Sequence, residues 1–365
     1  MKGELQSKMA NKKIQYIKQS EIKKHLNQCD WLLVLGERSN GKSYSSKNLL
    51  ISECLKKNKE FIYLRRYDLD TKDSLCVGYF ADCPVEQMTD GEYSCIDVWR
   101  KGIYLSNIDN ETGKVKHGKR IGYCHALSHA EHYKSLAFPD VDYIIYEEIV
   151  SQNARYIFNE PSALQQYIST IFRQRKAKVI MIGNTISRIC PYYRDWNLKV
   201  AKQKLGTAED YVFKNDNGDD TRLRVYLTDT LNYNSGMFFG LPAKNITKGA
   251  YDVMECPHLP KALTKYSKIY QMVLEYNEFK FLLSFLQDKE SKSFLWYVEP
   301  KTSEIKDNTR VISNQFNPDP LWTDTINKPL NTSEAKIFQF LTAGSTCFSD
   351  NLTGTEYNNI IQFMR

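Results

Sequence analysis

The chain has 365 residues, 42% of them hydrophobic, so it can build ordinary cores and, at ~150 residues per domain, is expected to form two domains. Its formal net charge of +7 permits a polyanionic partner without requiring one. Nine scattered cysteines without C-x-x-C spacing argue against a zinc ribbon and a disulfide scaffold, no apolar run is long enough for a membrane span, and no signal peptide is recognisable. We therefore expect a cytoplasmic protein with reduced thiols and no membrane partner.

The first predicted elements have the order of a parallel α/β unit. Residues 12–28 are predicted to form a basic, weakly amphipathic helix, and WLLVLG (31–36) a buried strand that ends in glycine. A helix is predicted over 43–58 and a second strand, EFIYLRRY, over 60–67. Strand, glycine-rich loop, helix and strand in this order predict a mainly parallel sheet.

The later elements predict a hairpin inserted in the sheet and a second domain. Residues 95–127 alternate around a polar turn, which indicates a β-hairpin or meander. The next predicted elements are an apolar strand ending on two acids (139–150), a helix (161–178), a buried strand (179–184), an alternating strand (222–227), an antiparallel hairpin (279–307) and C-terminal helices in the last ~35 residues. We predict a first domain over 1–205, a linker over 206–240 and a C-terminal domain over 241–365.

The segment GERSNGKS, residues 36–43, matches the phosphate-binding pattern G-x-x-x-x-G-K-[ST] in full. Glycines let backbone amides approach a phosphate, and the following helix presents its positive N-terminus to the same anion. Gly36 and Gly41 would shape the loop, Lys42 would neutralise the β- and γ-phosphates, and Ser43 would hold Mg²⁺. The position between a buried strand and a helix favours this interpretation, with ATP and Mg²⁺ as ligands, over an ordinary Gly-Lys turn.

A phosphate loop needs an acidic strand end opposite it, and YIIYEE (143–148) is the best candidate. Glu147 would contribute to the Mg²⁺ shell, and Glu148 would polarise the attacking water. An Asp is usual at the first position, so the longer Glu147 departs from the common pattern. The alternative is a pair of solvated acids that cap a strand.

The remaining polar candidates lie after the acidic strand. We expect the ATPase class with an additional strand between loop and acid, and we assign that insertion to 60–67 and the hairpin.

Such proteins often form rings whose sites take a charge from the neighbouring subunit, and Arg173 or Arg175 could supply it. A solvated basic helix end is the alternative. Asn184, at the tip of the next strand, could sense the γ-phosphate or simply start a turn.

Together these motifs resemble the DNA-packaging ATPases of φ29-like phages. The loop of that family has the form G-x-R-x-x-G-K-S-Y, which Arg38 and Tyr44 match. Further matches are FIYLRRY (61–67), YKSLAFP (133–139), FRQR (172–175), and Asn184 followed by CPYY (190–193). The series covers roughly 31–197, and the C-terminal part resembles the family only in length and in its β-rich hairpin.

The resemblance implies an ATP-driven motor that moves double-stranded DNA into a procapsid. It implies a homomeric ring, a pentamer, docked transiently at the portal vertex in the host cytoplasm, in some members with a structural RNA. Arg173 matches the trans-acting arginine finger of the family, and Lys134 matches a lysine that acts at the neighbouring site. The resemblance also implies that residues 241–365 form a degenerate RNase H-like nuclease domain that serves in assembly.

DNA contacts should be made to phosphates, because a packaging motor accepts any sequence. The hairpin turn carries the candidates Lys114, Lys116, Lys119 and Arg120, although a solvated turn would look the same. The basic N-terminal helix is a second candidate. Two other classes share parts of the pattern: a ring-forming helicase or recombinase-like ATPase, and a monomeric kinase or nucleotide switch.

Overall fold

The computed structural model describes residues 16–151, 155–173, 175–214, 219–229, 253–305, 308–315, 317–323, 341 and 345–364. The chain divides into two compact units. The first comprises Met1–Ile186 with Val200–Ala250, and the second Ser187–Lys199 with Tyr251–Arg365. Within the described ranges, no helix has both the length and the apolar character that crossing a membrane requires.

The first unit is built on a nine-stranded mixed sheet with the strand order β3-β4-β5-β2-β6-β7-β1-β9-β8. Its strands are β1 (Trp31–Gly36), β2 (Glu60–Arg65), β3 (Cys95–Trp99), β4 (Gly102–Ile108), β5 (Val115–Ala126), β6 (Val141–Glu147), β7 (Lys178–Asn184), β8 (Thr207–Lys214) and β9 (Asp220–Leu227). The six strands from β5 to β9 in this order are parallel to one another. The two edges are antiparallel: β3 and β4 on one side, β8 on the other.

Helices pack on this sheet, and the middle residues of its central strands are buried. The helices are α1 (Gln19–Leu26), α2 (Lys42–Lys57), α3 (Asp73–Phe80), α4 (Val85–Met88) and α5 (Glu160–Phe172). Every residue of β1 is buried, as expected for a central parallel strand. Helix α2 ends at Asn58, whose left-handed backbone (φ 52°) lets its amide bond the carbonyls of the last turn.

The predicted strands of the first 184 residues are present, but two assignments of the sheet were wrong. The helix predicted over 12–28 is shorter, Gln19–Leu26, with residues 12–15 outside the described ranges, and the helix predicted over 161–178 ends at Phe172. The strand that separates β1 from the acidic strand β6 is β7, rather than 60–67 or the hairpin. Residues 207–214 and 220–227, placed in the linker although a strand was predicted over 222–227, form β8 and β9 of the large sheet. The pairing of β9 with β1 joins residues 192 positions apart, such as Trp31 and Leu223, which local patterning does not reveal. Residues 230–252 lie outside the described ranges.

The second unit contains a six-stranded sheet with the order β14-β13-β10-β11-β12-β15. Its elements are α6 (Pro191–Asp195), β10 (Tyr266–Tyr276), β11 (Phe279–Asp288), β12 (Phe294–Pro300), β13 (Arg310–Ser313), β14 (Trp322–Thr323), β15 (Thr346–Phe348) and α7 (Asn351–Met364). Strands β10, β11 and β12 form an antiparallel meander, whereas β13 pairs parallel with β10, and β14 parallel with β13. The predicted hairpin (β11–β12) and a C-terminal helix are therefore present.

Candidate nucleotide-binding site

Polar side chains converge at one edge of the first sheet, because the parallel strands all end there. Gly36 ends β1, Glu147 ends β6, Asn184 ends β7 and Arg65 ends β2. In parallel α/β sheets this carboxyl edge is where ligands bind. The site is therefore assembled from segments that lie far apart in the chain.

The loop between β1 and α2 requires both of its glycines. A Cβ at Gly36 would lie 2.0 Å from the Thr228 hydroxyl and 2.6 Å from the Asn40 amide nitrogen. Those two groups hydrogen-bond each other, with Asn40 Nδ2 donating to Thr228 Oγ1 at 2.8 Å. Gly41 has a φ of 87°, a left-handed conformation that glycine adopts at little cost. The end of β9 thus braces the loop that begins at the end of β1.

The ammonium group of Lys42 is buried among oxygen acceptors. It donates to Gly36 O (3.1 Å), Glu37 O (2.5 Å), Asn40 Oδ1 (3.1 Å) and Asn184 Oδ1 (3.1 Å). Burial lowers the pKa of Lys42 to about 8, against the opposing effect of the nearby carboxylates of Glu147 and Glu37. A buried ammonium gains from an added anion, so this position suits a phosphate.

Glu147 is buried, and each of its carboxylate oxygens has a hydroxyl partner. Ser43 Oγ donates to Oε2 at 3.2 Å, and Tyr79 OH donates to Oε1 at 2.7 Å. Burial raises the pKa of Glu147, opposed chiefly by these two hydrogen bonds. A hydroxyl and a carboxylate side by side form the hard-oxygen donor set that Mg²⁺ prefers, so the residues present fit this ion.

The side chain of Glu148, unlike that of Glu147, reaches the surface. Its backbone is left-handed (φ 60°), which is uncommon for a non-glycine residue, and its side chain is 59% exposed. The carboxylate forms an ion pair of 2.7 Å with Arg65, whose guanidinium also donates to Tyr63 OH at 3.3 Å. The two acids are therefore held separately, Glu147 in the interior and Glu148 at the pocket wall.

A cavity of ≈ 970 Å³ opens over these groups. It is lined by the loop and the first turns of α2, including Arg38 and Tyr44, by both acids, by Asn184, and by residues 16–19 on the far side of Gly41. This size lies at the upper end of the range for small-molecule sites. The cavity thus has room for a nucleoside as well as the phosphates.

Comparison with known proteins identifies the family of this chain. A family profile described as the podovirus DNA encapsidation protein (Gp16) matches residues 23–211, more than half of the chain. The chain belongs to this family. The family that the sequence motifs indicated is thereby confirmed.

Individual relatives are similar over a shorter part of the chain. The DNA packaging protein of Bacillus phage phi29 is 32% identical over 168 residues, 45% of this chain and 46% of that protein. The corresponding protein of Bacillus phage B103 is 33% identical over 169 residues, 44% and 46% of the two chains. The alignments thus span about half the length of these curated relatives.

One solved structure shares the fold over nearly the whole chain. It is described as the bacteriophage Phi-29 viral genome packaging motor assembly. The match covers 97% of this chain and 100% of the matched chain, with a TM-score of 0.57 and 21% identity. At this identity the likeness concerns the fold alone.

Three basic candidates of this encapsidation-family chain lie away from the cavity. Arg173, just after α5, is exposed and has a left-handed φ of 54°. The guanidinium of Arg175 is held by backbone carbonyls, donating to Phe138 O (2.6 Å), Val141 O (2.7 Å), Pro139 O (3.0 Å) and Ile171 O (3.0 Å). Lys134 is exposed and pairs with Glu131 at 2.6 Å. The residues that line the cavity within this chain do not include these three.

The hairpin candidates divide into two kinds. Lys114 lies in the turn between β4 and β5, Lys116 is the second residue of β5, and both are exposed. Lys119 donates to Asn58 Oδ1 at 2.6 Å, and Arg120 pairs with Glu60 at 2.8 Å. Lys119 therefore contacts the end of helix α2, and Arg120 contacts strand β2.

Several residues of the site carry no recognisable signal in the sequence. Tyr79 lies in α3, which contains no known motif, and Asn40 and Thr228 meet across 188 residues. Arg65 belongs to the FIYLRRY segment, but that motif alone gives it no role. The structure assigns these residues to the cradle of the loop and to the support of the acids.

The second arginine of FIYLRRY anchors the segment that follows the acids. Arg66 forms a buried ion pair with Glu160 at 2.7 Å and donates to Ile149 O at 2.9 Å. Glu160 also accepts from Tyr146 OH (2.8 Å) and from the amide of Ile157 (2.9 Å). This network connects β2, the acidic strand and the start of α5.

Proposed function

We propose that this chain is an ATP-driven motor that moves double-stranded viral DNA into a phage procapsid. The observation that carries the proposal is the meeting of Lys42, Ser43 and Glu147 at the carboxyl edge of the parallel sheet, in a chain of the encapsidation family. The names of its relatives, DNA packaging proteins of Bacillus phages, support the choice of DNA as cargo.

The sheet supports placement in the additional-strand class of P-loop ATPases, since β7 lies between β1 and β6. We propose that the first unit is the ATPase domain, with β8 and β9 included. For the second unit, the order β12-β11-β10-β13-β14 supports an RNase H-like arrangement, with three antiparallel strands followed by two parallel ones. We propose that this unit serves in assembly.

In the proposed binding mode, the loop amides and Lys42 receive the β- and γ-phosphates of ATP. Arg38 and Tyr44 line the same cavity and would contact the nucleotide. Ser43 Oγ and Glu147 would hold Mg²⁺, which neutralises charge on the phosphates. Lys42 would then donate to phosphate oxygens instead of backbone carbonyls. Asn184 accepts a hydrogen bond from the same ammonium, so this change of partners would alter its own hydrogen bonding and let it sense the γ-phosphate.

Hydrolysis would use Glu148 to orient and polarise a water molecule. The water oxygen forms a bond to the γ-phosphorus, and the bond from that phosphorus to the β–γ bridging oxygen breaks, with its electron pair leaving on ADP. The proton of the water passes to Glu148. The ion pair with Arg65 holds the carboxylate at the pocket wall until it makes this contact.

Completion of the site would come from a neighbouring subunit of a ring, which we propose to be a pentamer. Arg173 is exposed and lies away from the cavity of its own chain, as a trans-acting arginine finger requires. Lys134 is the second trans candidate. Arg175, held by four carbonyls, would instead fix the local backbone that carries Arg173.

Loss of the γ-phosphate would loosen the interface and shift elements that contact DNA phosphates. Lys114 and Lys116 near the hairpin tip are the better candidates, because Lys119 bonds Asn58 at the end of α2 and Arg120 pairs with Glu60 in β2. The ring would dock at the portal of the procapsid, in the host cytoplasm. A structural RNA is a further proposed partner.

The test is ATP turnover with and without double-stranded DNA and purified procapsids. We expect stimulation that needs both, loss of turnover in Lys42→Ala, and ATP binding without turnover in Glu148→Gln. Arg173→Ala subunits mixed with wild type should reduce packaging more steeply than simple dilution. Strand unwinding without capsids would instead indicate a helicase, and phosphate transfer to a small acceptor would indicate a kinase.

A further inference from the structure

Tyr79 occupies an unusual place beside the acid at the end of β6. Its hydroxyl donates to Glu147 Oε1 at 2.7 Å, while Ser43 donates to Oε2 at 3.2 Å. The two oxygens of one carboxylate are thus assigned to two different partners. The residue lines the cavity, so its hydroxyl lies at the site rather than behind it.

The ring of Tyr79 is in contact with three neighbouring side chains. It stacks on Tyr63, with centroids 4.3 Å apart and planes inclined by 22°. The ammonium of Lys47 lies 4.5 Å from the ring centroid, and Phe80 meets the ring edge-on at 4.9 Å. A phenol held in this way has little freedom to leave the carboxylate.

The same helix that presents Ser43 also holds Tyr79. Lys47 lies one turn after Ser43 on α2, is buried, and donates to the carbonyl of Tyr79 and to the carboxylate of Asp82. Both hydroxyl groups that contact Glu147 are therefore positioned from α2, one directly and one through Lys47. A shift of α2 would move them together.

The length of the acid fits this arrangement. A side chain at position 147 has to reach Ser43 with one oxygen and Tyr79 with the other. An aspartate is shorter by one methylene and would bring its carboxylate back toward the strand, away from Tyr79. The glutamate that departs from the usual aspartate is explained by its phenol partner.

We propose that Tyr79 is a positioning residue that reserves Glu147 Oε1 for the protein and leaves Oε2, beside Ser43, for the Mg²⁺ shell. The proposal rests on the proposed function, since it concerns the same nucleotide site. Residues that orient a metal ligand typically change metal affinity by about 10–100-fold when they are replaced.

The test is a Mg²⁺ titration of the binding of a fluorescent ATP analogue to the full chain. Tyr79→Phe should raise the Mg²⁺ concentration at the midpoint by about tenfold or more and leave Mg²⁺-free nucleotide binding within about twofold of wild type. The matched control is Tyr143→Phe on β6, the strand that carries Glu147. The Tyr143 hydroxyl accepts a hydrogen bond of 2.6 Å from Lys57 and does not line the cavity. The midpoint of this control should not change.

A Tyr79→Phe midpoint within about twofold of wild type would overturn the proposal. Should circular dichroism show that this variant is unfolded, Glu147→Asp provides the same test. The aspartate keeps the negative charge but is too short to accept the hydrogen bond of Tyr79. An unchanged Mg²⁺ midpoint in that variant would therefore also overturn the proposal. In the Glu147→Asp background, Tyr79→Phe should add less than about a twofold change. Wild type that binds no nucleotide, with or without Mg²⁺, would instead refute the proposed function itself.

Discussion

Replacement of Glu160 by Ala should destabilise the first unit severely. The side chains of Arg66 and Glu160 are 7% and 0% exposed, so removal of the carboxylate leaves a guanidinium buried beside the space it vacated. The variant also removes the acceptor of Tyr146 OH and of the Ile157 amide. Breaking a buried ion pair in this way costs about 3–5 kcal/mol. For a unit of this size each kcal/mol lowers the melting temperature by about 2–4 °C, so we expect a fall of roughly 6–20 °C.

The assay is urea and thermal denaturation followed by circular dichroism, with two controls. Glu131→Ala breaks an exposed pair with Lys134, whose side chains are 74% and 50% exposed, and should cost less than about 1 kcal/mol. The double variant Arg66→Met/Glu160→Leu replaces both charges by apolar groups and should recover much of the loss. A Glu160→Ala protein as stable as Glu131→Ala would refute the reasoning.

Three further predictions concern the loop, a helix and a buried histidine. Gly36→Ala should weaken nucleotide binding by about 5–150-fold in a fluorescence titration, because its Cβ would overlap Thr228 and displace the loop at a cost of about 1–3 kcal/mol. Gly78→Ala, in α3 with no heavy atom near its Cβ, should raise the free energy of unfolding in urea by about 0.5–1 kcal/mol, and a decrease would contradict the assigned helix. Burial lowers the pKa of His125 to about 3, so between pH 6.5 and 3 this histidine is protonated in the unfolded chain but neutral in the folded chain. Stability should therefore fall by about 1.4 kcal/mol per pH unit as the pH drops from 6.5 toward 3, and His125→Phe should flatten that slope in pH-dependent urea melts.

The candidate site was largely predictable, because its central residues belong to contiguous motifs at strand ends. Lys42 and Ser43 belong to one eight-residue pattern, and Glu147 and Asn184 each follow an apolar run. In a parallel sheet those runs end at the same edge, so the sequence order alone places the side chains near one another. Their proposed roles remain predictions.

The parts that could not be predicted depend on contacts between distant segments. Thr228 braces the loop between β1 and α2 only because β9 pairs with β1, and the sequence of a short alternating strand does not indicate which strand it pairs with. From its residue type and position alone, Arg175 is as good a candidate for the trans-acting arginine as Arg173. Only the structure shows that its guanidinium donates to four backbone carbonyls of its own chain. Tyr79 is one of 24 tyrosines, and only the coordinates distinguish it from the others.

The buried pair of Arg66 and Glu160 also constrains how sequences in this family can diverge. Loss of one charge alone leaves the other buried without its partner, which is destabilising. Replacement of both by apolar residues avoids that cost. The two positions should therefore covary across homologous phages. Both charges should be present or both absent, and sequences that keep only one should be rare. A lineage that has lost one of them should carry a substitute charge or an apolar replacement at the other.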